Sequence, residues 1–120
     1  MIINNKKKKI EIPDSEIKKV SELGKIRGLM FRKKENAPIL LFKFKKTTKQ
    51  PIHSFFVYFP FLGLWLDEDN KVVEKRIVYP WKRMVFPSRK FKKLIEIPLS
   101  SNFEEIIGKI SPASSEIRKI

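Results

Sequence analysis

Few side chains in this sequence combine the residue type and the spacing that catalysis requires. His53 stands directly before Ser54, and a histidine beside a serine could act as base and nucleophile. Adjacent residues of a strand, however, point to opposite faces of a sheet, so these two side chains could not readily share a proton. We therefore assign no catalytic residue and keep His53 as a candidate binding residue.

Two carboxylates are further candidates. Asp67 opens the acidic run 67–69, which lacks the spaced oxygen ligands of a calcium loop and is better explained as a hairpin turn. Glu96 stands alone in an apolar stretch, which predicts partial burial beside a basic partner. Carboxylates with shifted pKa values cluster at functional sites. Arg32 and Trp81, which lie in the segments 27–32 and 79–83, complete the set. The candidate binding residues are Arg32, His53, Asp67, Trp81 and Glu96.

The composition excludes several kinds of site. The chain has no cysteine and a single histidine, which rules out disulfides, zinc–thiolate sites, iron–sulfur clusters and His-rich metal cages. The glycine and arginines of 27–32 do not have the spacing of a Walker motif or of a dinucleotide fingerprint. The sequence thus predicts neither a metal site nor a cofactor.

The formal net charge of +14 is the most unusual property of the chain, and most of the basic excess lies in residues 1–50. Such a charge favours an anionic partner such as nucleic acid through counterion release, and it also keeps a monomer in solution. The lysine-rich, glutamine-poor composition resembles that of thermophiles, in which lysines simply cover the surface. Both interpretations stay open.

Two segments interleave basic and aromatic residues, the pattern of surfaces that stack bases and pair with phosphates. They are residues 42–46 and residues 79–83. Neither matches an RNA-recognition motif, a KH loop or a helix-turn-helix, and buried aromatics separated by solvated lysines would give the same pattern. The residues of the nucleic-acid hypothesis are Lys43, Phe44, Lys45, Lys46, Lys82 and Arg83.

Most elements that would position these residues are strands within one domain. With 120 residues, 42% of them hydrophobic, the chain is suited to a single core. We divide it into a basic tail or strand lead-in over 1–9 and a single β-rich domain over 10–120. No run approaches the roughly 20 apolar residues of a membrane span, and no secretory signal is recognisable. We therefore expect a cytoplasmic protein without membrane contact.

The first elements are ambiguous and the later ones are clearer. Residues 15–23 form a helix, or else 16–20 form a strand followed by a helix from Ser21 to about Met30. Apolar patterning predicts the remaining elements. These are strands over 39–44, 52–59 and 94–98, a loop over 45–51, a hairpin over 61–79 with its turn at 67–70, and a helix over 103–110 that Asn102 could cap.

Many short strands with proline punctuation favour a mainly β fold. We expect a single-domain β-sandwich or partly open barrel with one or two short helices.

Several short blocks of the sequence together resemble a known family. The blocks are Gly28-Leu29-Met30-Phe31-Arg32, Leu40-Leu41-Phe42, Pro60, Leu66-Asp67, Val72-Val73, Pro80-Trp81 and Glu96-Ile97-Pro98. Over about residues 15–110 the chain resembles the archaeal branch of the domain of unknown function 192 family, also called uncharacterised protein family 0127. The resemblance implies a sandwich or barrel-like β domain with a strand over 16–20 and a helix over 21–30. It implies no activity, because the family has none assigned.

The chain departs from the family's bacterial pattern where that pattern is polar. Bacterial members have Phe-Trp-Met-Lys-Asn-Thr and, after two apolar residues, Pro-Leu-Asp. In the same register, Phe56, Val57 and Leu62 replace the asparagine, the threonine and the aspartate. A ligand site built on those polar groups is not expected here. His53 occupies the tryptophan position and is the polar group to test.

Three functional hypotheses follow. The first is a non-catalytic binding or accessory domain with an unidentified ligand. The second is a nucleic-acid binder, of RNA or single strands, that uses the basic–aromatic segments. The third is a small-ligand binder or enzyme around His53, with Arg32, Asp67 and Glu96. The apolar run 55–65 also exceeds what one strand face can bury, which predicts a homo-oligomer interface.

Overall fold

The fold is mainly β, as the patterning predicts. The structure, a computed structural model, describes residues 1–20, 29–54, 56–82 and 84–110. Those residues form a two-stranded sheet, a five-stranded sheet and one short α-helix. The elements are β1 (Ile2–Asn5), β2 (Lys8–Glu11), β3 (Ile17–Lys19), β4 (Ile39–Thr48), β5 (Phe61–Leu66), β6 (Val72–Val78), β7 (Phe91–Pro98) and α1 (Glu104–Ile110).

The five-stranded sheet has the order β3-β4-β7-β5-β6. β3 runs parallel to β4, and the other neighbouring pairs are antiparallel. The last of the described strands, β7, lies in the middle, between β4 and β5. Within the described residues the sheet is open at β3 and β6, so the fold is layered and is not a closed barrel.

Both faces of this sheet are buried, which explains the continuous apolar runs of its central strands. All six residues of β5 are buried. Because side chains alternate along a strand, Leu62 and Leu64 join one core cluster while Phe61 and Trp65 join another. The first core cluster also contains residues of β1, β2 and α1, and the second contains residues of the irregular segments between strands.

The N-terminal strands β1 and β2 form a hairpin that covers the first core cluster. Its turn residues, Lys6 and Lys7, both have positive φ, 52° and 68°, as a type I′ turn requires. Ile3 and Ile10 are buried in the first core cluster. Residues 1–9, expected as a basic tail or strand lead-in, thus contain β1 and the start of β2, with Ile3 in the core, Ile2 exposed and Lys6 and Lys7 at the turn.

The helix predicted over 103–110 is confirmed apart from its first residue. α1 packs three isoleucines into the first core cluster. The carbonyl of Ile110 accepts hydrogen bonds from the Asn5 side-chain amide at 3.2 Å and from Lys75 Nζ at 2.8 Å. Those donors satisfy a carbonyl at the helix C-terminus, where intrahelical partners are lacking.

Several other predicted elements are confirmed. The hairpin predicted over 61–79 is present as β5 and β6, the strand predicted over 94–98 lies within β7, and β3 lies within residues 16–20. The helix predicted from Ser21 to about Met30 falls mainly on residues 21–28, which lie outside the described residues.

Two predictions about the middle of the chain are wrong. β4 continues to Thr48, so much of the predicted loop over 45–51 is strand. The described part of 52–59 is irregular, and Ile52 forms an isolated bridge with Val85. This segment packs on the face of the sheet that carries the second core cluster, and its described residues pair with no strand of the sheet. Its side chains therefore do not alternate between the two faces of the sheet as those of a strand would.

Candidate functional site

Four aromatic side chains from three separate segments meet at the surface. Phe56 stacks on Phe31 with ring centroids 5.0 Å apart, and it meets Trp81 edge-on, also at 5.0 Å. Tyr58 lies 6.3 Å from Trp81. These four rings, here called the aromatic platform, are between 41% and 57% exposed. Their exposure is unusual, since phenylalanine is among the residues most often buried.

The backbone that carries the platform is strained. Phe31, Phe56 and Trp81 have φ of 61°, 58° and 64°, in the left-handed region that bulky residues rarely adopt. Each such residue costs about 1–3 kcal/mol and persists only where its surroundings enforce it. One enforcing contact is the Phe31 amide, which donates to the Phe56 carbonyl at 2.9 Å. Strain of this kind clusters at functional sites, so the platform is the strongest candidate on the described surface.

Ser54 joins two of the platform segments. It is fully buried; its Oγ donates to the Tyr79 carbonyl at 2.6 Å and accepts from the Lys82 amide at 2.7 Å. The Ser54 amide donates to the Lys82 carbonyl, and the Ser54 carbonyl accepts from the Trp81 amide, both at 2.9 Å. Four hydrogen bonds from one residue therefore fix the segment that carries Trp81 against the segment that carries Phe56.

The platform lies at one end of the five-stranded sheet. At this end the first residue of β5, Phe61, pairs with the last residue of β6, Val78. Leu29, Val57 and Val85, which belong to the platform segments, pack in the second core cluster. The sheet thus holds the three segments from beneath while their aromatic rings stay in contact with solvent.

Basic side chains border the platform. In the sequence, the segments 29–38, 52–60 and 79–87 carry Arg32, Lys33, Lys34, Lys82 and Arg83 against the single acid Glu35. Lys33 and Lys82 are exposed, whereas Arg83 lies outside the described residues. The surface therefore combines stacking faces with positive charge.

Three of the five predicted binding residues lie in or beside the platform. Trp81 belongs to it, Arg32 follows Phe31, and His53 precedes Ser54. Arg32 and His53 are half-buried, and each makes a further contact within the chain. The Ser54 hydroxyl is hydrogen-bonded to two backbone groups, the Tyr79 carbonyl and the Lys82 amide. It is therefore not available as a nucleophile that His53 could activate.

Asp67 lies at the opposite end of β5 and has a structural role. Its Oδ1 accepts hydrogen bonds from the amides of Asp69 and Lys71, both at 2.9 Å. This is an Asx turn, and it closes the β5–β6 hairpin. The turn predicted at 67–70 is confirmed, and Asp67 is separated by the length of β5 from the platform.

Glu96 lies in the interior of the sheet. It occupies the middle of β7, directly opposite Leu40 of β4 and Gly63 of β5, and is only 5% exposed. Within the described part of the chain no hydrogen bond or ion pair reaches its carboxyl group, so the predicted basic partner is absent there. Burial raises the pKa of Glu96 to about 8, so the group is mostly protonated at neutral pH.

The residue opposite Glu96 is Gly63, and the ring of Trp65 packs over it. A Cβ on Gly63 would lie 3.1 Å from Cη2 of Trp65, closer than ordinary packing allows. The Trp65 ring is fully buried, and the Arg76 guanidinium lies 5.6 Å from its centroid, a cation–π contact. Glu96 therefore lies in packed core, on the face of the sheet that carries the second core cluster.

The first basic–aromatic segment, residues 42–46, exposes its lysines more than its aromatic rings. Phe42 is buried, and Phe44 is half-buried with its ring edge-on to Phe91 at a centroid distance of 5.2 Å. Three lysines of this segment, at 43, 45 and 46, are exposed. The role of Phe44 as a stacking residue stays a prediction, and its ring is less accessible than those of the platform.

Four members of the site, Ser54, Phe31, Phe56 and Tyr58, were not predicted from the sequence. The available signal was the aromatic run 55–59, whose apolar excess we attributed to an oligomer interface. Phe31, Phe56 and Trp81 stand 25 positions apart along the chain. No local pattern connects residues at that separation, and only the folded chain brings their rings together.

The described residues show neither a metal-binding cluster nor a membrane-spanning helix. No group of three or more histidine, aspartate or glutamate side chains there could hold a metal ion. None of the helices described in the structure is long and apolar enough to cross a membrane.

Comparison with known proteins shows a fold and no family. No family model and no curated protein matches the chain. A solved structure from Sinorhizobium meliloti, provisionally described as a transcription regulator, has a TM-score of 0.68 at 16% identity over 87% of this chain and 81% of that one. A protein of unknown function from Novosphingobium aromaticivorans has a TM-score of 0.59 at 13% identity over 75% of this chain and 65% of that one.

At these identities the likeness shows a shared fold alone. Membership of the domain of unknown function 192 family stays a prediction.

Proposed function

We propose that this protein is a non-catalytic binding domain that holds single-stranded nucleic acid on its aromatic platform. The observation that carries the proposal is the contact of Phe31, Phe56 and Trp81, three exposed rings on left-handed backbone. Strain at three adjoining positions is costly, and a binding surface is the ordinary reason for retaining it.

Exposed rings of this kind suit unpaired bases. Every base has a flat π-face, so stacking on an aromatic side chain is tolerant of sequence, and each stacked base contributes about 1–3 kcal/mol. Phe31, Tyr58 and Trp81 are each more than half exposed, so their rings are accessible to a base. Bases within a duplex are already stacked on their neighbours, so the platform favours single strands.

The charge of the surface supports the same partner. Lys33 and Lys82 are exposed beside the rings, where they could pair with the phosphates that link stacked bases. The formal charge of +14 adds a long-range attraction for any polyanion. A purely apolar protein partner would find these cations unfavourable to bury.

The structural likeness is in keeping with this partner. A regulator of transcription acts at nucleic acid, and the Sinorhizobium meliloti protein provisionally described in that way shares this fold. The proposal itself rests on the platform and its charges, because a shared fold hosts many functions.

Fluorescence anisotropy with labelled oligonucleotides of about 12 nucleotides, a length within the usual site size, tests the proposal. Single-stranded DNA, single-stranded RNA and the duplex are titrated at low and at physiological salt. We expect tighter binding of a single strand than of duplex, and affinity that falls as salt rises. Trp81→Ala should weaken binding about tenfold, consistent with the loss of one stacked base.

A matched control separates the platform from exposed aromatics in general. Phe86 is also 57% exposed but is not one of the four platform rings, so Phe86→Ala should leave the affinity unchanged. The proposal is overturned by absence of binding at low salt, or by equal affinity of wild type and Trp81→Ala. It is also overturned if light scattering shows a dimer that Trp81→Ala dissociates, since a second copy would then cover the rings.

A further inference from the structure

A groove of about 340 Å³ lies on the sheet face that carries the first core cluster, where Met1, Asp14 and Asn70 meet the strands β3, β4 and β7. Its lining residues are Met1, Asp14, Ile17, Lys19, Leu41, Lys43, Asn70 and Lys93. The volume falls at the lower end of the range for small-molecule sites. Three lysines and one aspartate line it, so the groove is positively charged.

Strand alternation explains why lysines line this groove. Leu41 and Lys43 lie two positions apart on β4, and so lie on the same face of the sheet. The same holds for Ile95 and Lys93 on β7. On both strands the apolar residue belongs to the first core cluster. The lysine is the next residue on the same face, at the edge of that cluster. The N-terminal hairpin covers the apolar part, and the cationic part stays open.

Lys43 and Lys93 are directly opposite each other in the β4–β7 pair. Like charges at directly opposed positions destabilise a sheet. Lys19 adds a third positive charge, since it pairs with Leu41 in the neighbouring row. The sheet thus concentrates three cations at one place where packing does not require them.

One of these lysines is held in position. Lys93 Nζ donates a hydrogen bond to Asn70 Oδ1 at 2.6 Å. Asn70 is itself fixed, because its side-chain amide donates to the Ile2 carbonyl at 3.3 Å and its carbonyl accepts from the Asn4 amide at 2.9 Å. An ammonium group has three donors, so Lys93 keeps donors for a ligand after it has bonded to Asn70.

We propose that this groove binds a small organic anion, a carboxylate or a phosphate monoester with an apolar body. The lysine ammonium groups would pair with the anionic head, because charge-assisted hydrogen bonds to oxyanions are stronger than hydrogen bonds between neutral groups. Ile17, Leu41 and the Met1 side chain would contact the apolar body. The site is at the Asp67 end of the sheet, a strand length from the aromatic platform, and is independent of the nucleic-acid proposal.

Isothermal titration calorimetry at low salt with phenyl phosphate and with benzoate tests this site, and the two arms distinguish phosphate from carboxylate chemistry. Benzyl alcohol, which has the apolar body without the charge, should not bind. Inorganic phosphate, which lacks the body, should bind about tenfold more weakly than phenyl phosphate, because burial of the ring adds apolar contact.

Variants separate a binding role from a structural one. Lys43→Gln should weaken phenyl phosphate binding about tenfold, since it removes one charge-assisted contact. In the free protein the same variant should raise the melting temperature, because it relieves the repulsion of Lys93. Lys18→Gln is the matched control: Lys18 is the exposed neighbour of Lys19 on β3 but does not line the groove. It should leave phenyl phosphate binding unchanged.

Three results would overturn the proposal. They are no heat of binding with either aromatic anion, equal binding of benzyl alcohol, and equal effects of Lys43→Gln and Lys18→Gln. Trp81→Ala should not alter binding of phenyl phosphate, and Lys19→Gln, which removes another lysine of the groove, should not remove the preference for single-stranded over duplex oligonucleotide. Failure of one proposal can therefore be told from failure of the other.

Discussion

Ser54 and Lys82 are joined by two hydrogen bonds, although they are 28 positions apart in the chain. The Ser54 amide donates to the Lys82 carbonyl at 2.9 Å, and the Lys82 amide donates to Ser54 Oγ at 2.7 Å. Neither residue belongs to a strand. The pair therefore replaces sheet pairing where two irregular segments cross, and it sets the separation of the rings that these segments carry.

Ser54→Ala should lower the free energy of unfolding by about 1–3 kcal/mol, because it leaves the Tyr79 carbonyl and the Lys82 amide without their hydroxyl partner. Urea denaturation followed by circular dichroism measures the change. Ser100→Ala is the control, since Ser100 is buried but its Oγ has no hydrogen-bond partner among the described residues. Equal losses for the two variants would contradict the role given to Ser54.

The buried Glu96 makes stability depend on pH in a direction opposite to that of most carboxylates. Its pKa is raised from 4.5 to about 8 in the folded state, so between those values the folded chain keeps a proton that the unfolded chain has lost. The contribution of protonated Glu96 to the free energy of unfolding is therefore complete below pH 4.5 and is lost as the pH rises through 8. Over that range the free energy of unfolding should fall by at most about 1.4 kcal/mol per pH unit.

Glu96→Gln should flatten this dependence, because an amide does not titrate. Urea denaturation at intervals from pH 5 to pH 8 compares the slopes of wild type and variant. Glu11→Gln, at an exposed position of β2, should keep the wild-type slope. Parallel slopes for wild type and Glu96→Gln would show that Glu96 does not retain its proton in the fold.

The turn of the N-terminal hairpin offers a test of the fold. Lys6 and Lys7 both have left-handed backbone, which Asn-Gly adopts more readily in a type I′ turn. The double substitution Lys6→Asn, Lys7→Gly should raise the free energy of unfolding by about 1 kcal/mol. Lys6→Gln, Lys7→Gln removes the same two charges without that backbone preference and should give little gain. A loss of stability with Asn-Gly would contradict the turn.

The sequence predicts the sheet better than it predicts the platform. The runs that form β5 and β7 are apolar on both faces, and the turn at Asp67 has its own chemistry, so local patterns suffice. Residues 52–59 are just as rich in β-forming types but are irregular over their described positions. β-propensity measures how well a side chain fits a half-buried surface. A segment that packs on the face of a sheet has such an environment, just as a strand within the sheet has, so propensity does not distinguish the two.

The candidate site depends on contacts that no local pattern contains. Trp81 could be chosen from its basic neighbours, but Phe44 has the same kind of neighbours and packs edge-on against Phe91. What separates the two is the left-handed turn that exposes Trp81, and its hydrogen bond to the Ser54 carbonyl. Neither feature can be inferred from residue type, since bulky residues seldom adopt that conformation.

The most direct test of the central claim uses the two tryptophans as reporters. Trp81 is 51% exposed in the platform, whereas Trp65 is fully buried. Titration of the wild-type protein with single-stranded oligonucleotide at low salt should quench part of the tryptophan emission, because a base stacks on Trp81. In Trp81→Phe the remaining emission, from Trp65, should not respond. Unchanged wild-type emission at oligonucleotide concentrations that saturate the anisotropy signal would contradict the platform as the binding surface.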